Sequence, residues 1–210
     1  MLCKIVFYLL LPYEAIGTGM KITSEVLKQN QKFLLVLLLI FLVGNIIGYF
    51  GCGHLHARWA EADLFLSLPA HRTALGFIVN NIKVTFIMML SGILTCGAAA
   101  VFLLFINGLI MGESIGVALE KMPAGEVLFR VLPHGIFEVP AMLLAGVGGF
   151  IPLRIVIALL KERKIDYKGE LLNAGQLVIA MILLLLVAGI VEAHITPVLA
   201  DDPLLKGGLR

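Results

Sequence analysis

Charge is what this sequence has least of. Its 210 residues include 16 Lys and Arg and 14 Asp and Glu, so 14% are charged, against roughly 25% in a soluble domain. That is too few to build a charged shell around a core this size. Cysteine is also sparse. Cys3, Cys52 and Cys96 are an odd number and form no C-x-x-C pair, which argues against a disulfide framework or a zinc ribbon. A phosphate loop, a dinucleotide fingerprint, a G-x-S-x-G elbow and an H-E-x-x-H helix are all missing. The net charge of +2 leaves no electrostatic footprint for nucleic acid.

What is present is apolar and continuous. Hydrophobic residues make up 60% of the chain and mean hydropathy is +1.03. About 20 apolar residues in a helix cross the roughly 30 Å hydrocarbon core of a bilayer. Lipid offers no hydrogen bonds, so a span is either a helix or part of a closed barrel. Barrel strands alternate over about ten residues, and these blocks do not alternate. The expected fold is therefore an all-α, polytopic integral membrane bundle, read as a single transmembrane domain over 1–210.

Five spans are expected, near 33–50, 74–93, 97–119, 137–160 and 177–198. The stretch 74–119 is too long for one crossing, and glycines between Ser91 and Gly97 mark a tight turn within it. A rival reading puts one span from Val84 to Gly112 and gives four crossings. Loop charge favours five. Lys4, Lys21, Lys28, Lys32, Lys161, Arg163, Lys164 and Lys168 then share one face, and Arg58, Arg72, Lys121, Arg130, Lys206 and Arg210 share the other. Eight against six biases the N-terminus to the cytoplasm. The run Ile5 to Leu11 after Lys4 lacks a cleavage site and is stopped by Pro12, so it reads as an interfacial segment. Arg154, toward the end of span four, is expected to snorkel to the interface.

Small residues recur at four-residue spacing: Gly44 and Gly48 in span one, and Gly108, Gly112 and Gly116 in span three. This spacing puts them on one helix face and lets backbones approach. The face could pack inside the bundle or hold a homodimer.

Polar groups inside apolar segments are the candidates for chemistry. His134 and Glu138 are one helical turn apart. They lie in Leu132-Pro-His-Gly-Ile-Phe-Glu-Val-Pro140, which reads as a helix start broken by proline at 133–140. Ala141, Ala145 and Gly148 extend the same face, so the pair should look into the bundle. Glu192 and Thr196 repeat the spacing near the C-terminus, with His194 on another face and Pro197 as a stop. A charge at the bilayer centre costs about 2.5–3.5 kcal/mol on insertion scales. Pairing lowers that cost, so His134, Glu138 and Glu192 should form one cluster, either functional or a structural lock between helices. Asn80, Asn81 and Asn107 add neutral polar groups that usually bond between helices. A metal is left open: His134, Glu138, Glu192 and His194 are suitable ligands, and Cys52, His54 and His56 form a second set whose spacing of two suits a loop or strand.

The block Leu132-Pro-His-Gly-Ile-Phe-Glu-Val-Pro-Ala141 resembles a signature of the stage II sporulation protein M family. Asn80 before a span, Asn107-Gly108 followed by Gly112, and Glu192-Ala-His-Ile-Thr-Pro197 occur in the same order, so the resemblance covers about 74–200. It implies a membrane scaffold working beside separate hydrolases, and no catalytic residue or cofactor. The expected protein is thus a non-enzymatic, multi-pass protein of the cell membrane. Its partners would be the lipid bilayer, other membrane proteins and a second copy of itself. The alternative is a small transporter or channel using the His/Glu cluster for ion or proton coupling, with an intramembrane hydrolase third.

Overall fold

The computed structural model describes residues 24–59, 73–162, 164, 166–196 and 198. Side chains of 24–29 and 52–59 are not among them, and the Ile5 to Leu11 run, Cys3 and the C-terminal tail lie outside. Among these residues six α-helices follow in order: α1 (Ser24–Trp59), α2 (Ala74–Leu94), α3 (Ala98–Lys121), α4 (Ala124–Gly149), α5 (Ile151–Leu160) and α6 (Tyr167–Ile190). A π-helical segment, Val191–Ile195, ends the last. No strand occurs among the described residues. Among the described residues, five segments are long and apolar enough to cross a membrane: Asn30–Gly51, Ala74–Leu94, Ala98–Lys121, Ala124–Leu160 and Tyr167–Ile195. The protein is an all-α polytopic membrane bundle.

Local chemistry sets the helix ends. Thr73 caps α2 through a hydrogen bond that its Oγ1 accepts from Gly76 N at 3.2 Å, and Asp166 caps α6 by accepting from Gly169 N at 3.0 Å. Such caps satisfy donors that a helix start leaves bare. The turn between α2 and α3 is Thr95-Cys96-Gly97, where the sequence placed it. Cys96 and Gly97 take positive φ values of 54° and 97°. A side chain at Gly97 would also run into the ring of Phe150, so glycine suits the position twice over.

Two starts differ from the expectation. The fourth helix begins at Ala124 and runs through Pro133 and Pro140, so the prolines lie inside it and do not form its start. Each removes one backbone hydrogen bond, which neighbouring helices in a membrane bundle can tolerate. The break falls later, at Phe150, where Pro152 occupies the first turn of α5. The fifth span begins at Tyr167, ten residues before the expected 177, because Asp166 caps it and the charge of Glu170 is met by Arg154. α1 continues as helix to Trp59, which corrects the loop or strand reading of Cys52, His54 and His56. A spacing of two on a helix turns side chains about 200° apart. The side chains of these three lie outside the described residues.

The glycine faces meet each other. A Cβ on Gly44 would strike the carbonyl oxygen of Phe105, and one on Gly48 that of Leu109. Gly108 stands in the same way against Phe41 O, and Gly112 against Asn45 O. Contacts rise together along both chains, so α1 and α3 run parallel. Gly116 is buried on the same helix. A second close approach joins α2 to α4: a Cβ on Gly92 would lie 2.8 Å from Gly149 Cα, and one on Gly149 3.0 Å from Gly92 Cα.

α4 is the central element. All nine residues from Ala141 to Gly149 are buried, and a helix apolar all round belongs in a core. Leu37, Phe41, Met88, Leu104, Met181 and Leu185 pack with it, drawing α1, α2, α3 and α6 into one cluster.

Five crossings place the start of α1 and the α5–α6 connection on one side. Cysteines introduced at the exposed positions Lys32 and Lys164 are expected to label from the same side of intact cells, and one at Lys121 from the other. Labelling of positions 32 and 164 from opposite sides would rule out this topology.

Gly112→Leu should separate α1 from α3 and cost at least about 1–3 kcal/mol, the usual penalty for overpacking. Gly175 has no heavy atom within 4 Å of a built Cβ, so Gly175→Leu should stay within about 0.5 kcal/mol of the native protein. Equal thermal stability of the two variants in detergent would contradict the seam.

Candidate functional site

The residues singled out by sequence divide into a cluster and a remainder. His134 and Glu138 share a face in the middle of α4. The end of α6 runs antiparallel to it and brings Glu192 and Thr196 alongside. Thr196 Oγ1 lies 3.5 Å from His134 Nδ1, a long hydrogen bond whose direction the histidine tautomer decides. α4 and the π-helical segment pack against each other, so Glu138 and Glu192 lie on adjoining elements. Thr196 is buried, Glu192 is half-buried, and His194 points outward and is exposed.

The π segment gives this site its local character. Thr196 N donates to Val191 O, five residues back. On α4, Pro140 gives Ile136 no helical N–H donor. π-helical turns of the kind at Val191–Ile195 recur at functional sites.

The other polar groups stay apart. Asn80 is exposed and donates to its neighbour Asn81 at 3.5 Å. Asn107 donates to Leu103 O at 2.8 Å within its own helix, and Thr85 bonds Asn81 O at 2.6 Å. Local bonds of this kind hold a side chain to its own turn. Among the described residues no three His, Cys, Asp or Glu side chains converge to hold a metal.

Two features escaped the sequence reading. Glu113 is buried inside the doubled glycine motif, with its backbone against Gly48. A carboxylate within a span was signal enough to single it out. The second lies at the far end of the bundle. Arg154 does not reach out to the interface. Its Nη2 is 3.0 Å from Glu170 Oε2, and its Nη1 donates to the buried Asn30. The guanidinium thereby ties α5 to both α6 and α1. Arginine in an apolar run, followed by Glu170 in the first turn of the next helix, was the available hint.

Glu138 and Glu192 lie on adjoining elements, so their neutralisations are expected to be coupled. Glu138→Gln and Glu192→Gln are each expected to hold or raise thermal stability, and the double variant should gain less than the sum. Coupling of at least about 0.5 kcal/mol marks interacting residues. Additive effects in this cycle would show that the carboxylates do not sense each other.

The profile of the family described as stage II sporulation protein M matches residues 15–197. The chain is 32% identical over 171 residues to Uncharacterized protein MJ0793 of Methanocaldococcus jannaschii, covering 80% of this chain and 95% of that one. It is 27% identical over 189 residues to Uncharacterized protein MJ0706 of the same organism, covering 82% and 86%. No solved structure matches it. The geometry supplies no independent name, but the match runs through all five spans and both halves of the polar cluster, and the chain belongs to the stage II sporulation protein M family.

Proposed function

We propose that the protein is a non-enzymatic scaffold or assembly factor of the cell membrane, without a cofactor, working on other membrane proteins and not on nucleic acid. The observation that carries this reading is the apolar band from Ala141 to Gly149. It is buried on every side and lies between the His134–Glu138–Glu192 cluster and the Arg154–Glu170 pair at the opposite end. A carrier needs polar groups along its path, and here a packed apolar layer interrupts them. The polar cluster then locks α4 to α6. Self-association, if the scaffold works as a homodimer, uses a surface other than the Gly44–Gly48 and Gly108–Gly112 faces, which are filled within one chain.

One observation favours the alternative of ion or proton coupling: Glu138 and Glu192 lie on adjoining elements beside a π-helical turn. Purified protein in liposomes loaded with a pH-sensitive dye separates the two readings. Under an imposed potassium diffusion potential the scaffold should leak protons no faster than empty vesicles, with or without Glu138→Gln. A proton flux that Glu138→Gln abolishes would overturn the scaffold reading.

A further inference from the structure

We propose that the outer face of α2 docks a transmembrane helix of another protein, one that carries an aspartate or glutamate at mid-membrane depth. The inference rests on the scaffold reading and names what the scaffold holds. α2 has two sides. Thr85, Met88, Met89 and Gly92 are buried, and α3, α4 and α6 pack against this helix. Asn80, Lys83, Ile87, Leu90 and Leu94 are exposed on the opposite side. Their spacing of three and four makes one stripe. It runs about 21 Å along the axis, enough to seat a second helix.

Lipid suits the isoleucine and leucines of this stripe but not its lysine. Lys83 lies in the middle of the span, about 14 Å along the axis from Ala74 and about 16 Å from Leu94 at the helical rise. Its four-carbon stem is too short to bring the ammonium group to either end. Lys83 makes no ion pair with a described residue. Other exposed charges within the described spans are placed differently. Lys32, Glu120, Lys121 and Lys168 lie next to a span end, and Arg130 holds Glu126 at 2.9 Å. Ionisable groups inside a membrane face a bundle or a wet cavity and pair there. Lys83 meets that condition once another helix covers it.

The chemistry of the covering helix follows from the lysine. Its ammonium group has three donors and no acceptor, so its complement in a medium without water is a carboxylate. Asn80, one turn earlier on the stripe, adds an amide beside the same point. A second copy of this chain does not supply the carboxylate. Among the described residues no exposed carboxylate lies deeper than the last turn of a span: Glu113 is buried, and Glu138 and Glu192 are half-buried within the bundle. A two-fold pairing of α2 faces would also turn lysine toward lysine, because such an interface sets the same patch on both subunits.

Energy transfer in liposomes tests this with the labelled full chain and a labelled synthetic peptide. The probe is a transmembrane helix of about 20 leucines and alanines with one aspartate at its centre, compared with the same peptide carrying leucine there. The native protein should bind the aspartate peptide about tenfold more tightly, the scale of one polar contact between helices in lipid. Lys83→Leu should abolish the preference and Lys83→Arg should keep it. Val43 is exposed on α1, so adding Val43→Lys to Lys83→Leu moves the lysine to another lipid-facing surface and should not restore binding. Equal binding of the two peptides by the native protein would overturn the proposal. So would a preference that survives Lys83→Leu or returns with Val43→Lys. Self-association of the native protein that Lys83→Leu abolishes would assign the stripe to a second copy and overturn the choice of partner. Each of these failures leaves the proton-flux result, and with it the scaffold reading, unchanged.

Discussion

Backbone contact between α1 and α3 is the constraint from which the bundle is built. Lipid is as apolar as leucine, so burying apolar side chains gives membrane helices little drive to associate; close packing and interhelical polar contacts supply it. Glycines on both faces remove the side chains that would hold the backbones apart. With α1 fixed to α3, the short turn at Thr95-Cys96-Gly97 folds α2 back beside them. The paired glycines Gly92 and Gly149 then let α4 approach α2. α4 can be apolar all round in its second half because every direction is occupied.

Polar groups are confined to the two ends of this packed centre. At one end, His134, Glu138, Glu192 and Thr196 join α4 to α6. At the other, Arg154 joins α5 to α1 and α6 through Asn30 and Glu170. Each ionisable group at membrane depth would cost several kcal/mol alone, and each site gathers groups from separate helices. The two ends differ in sign. The Arg154 site holds opposite charges in contact, while the other gathers two acidic residues, a histidine and a threonine hydroxyl from α4 and the end of the last span.

Much of this was legible in sequence because it rests on length and periodicity. The five apolar segments, the turn near Gly97 and the glycine faces follow from spacing alone. The start of α4 was not legible, because Pro133 and Pro140 read as breakers when neighbours are unknown. Arg154 was misread for a related reason: snorkelling is the default for an isolated arginine, and Asn30 lies 124 residues away in the chain. Asn80 and Asn107 looked like bonds between helices, yet each finds its partner within its own helix.

The parallel seam has a consequence for how the protein is made. Gly44 and the Phe105 carbonyl it packs against lie about 60 residues apart in the chain. At synthesis rates of about 5–20 residues per second, α1 waits several seconds in the bilayer before α3 exists. During that interval its bare glycine stripe faces lipid or any other helix within reach. The newborn chain is therefore most open to mispairing before its third helix arrives, and an insertion chaperone that covers a small-residue stripe would act in that window.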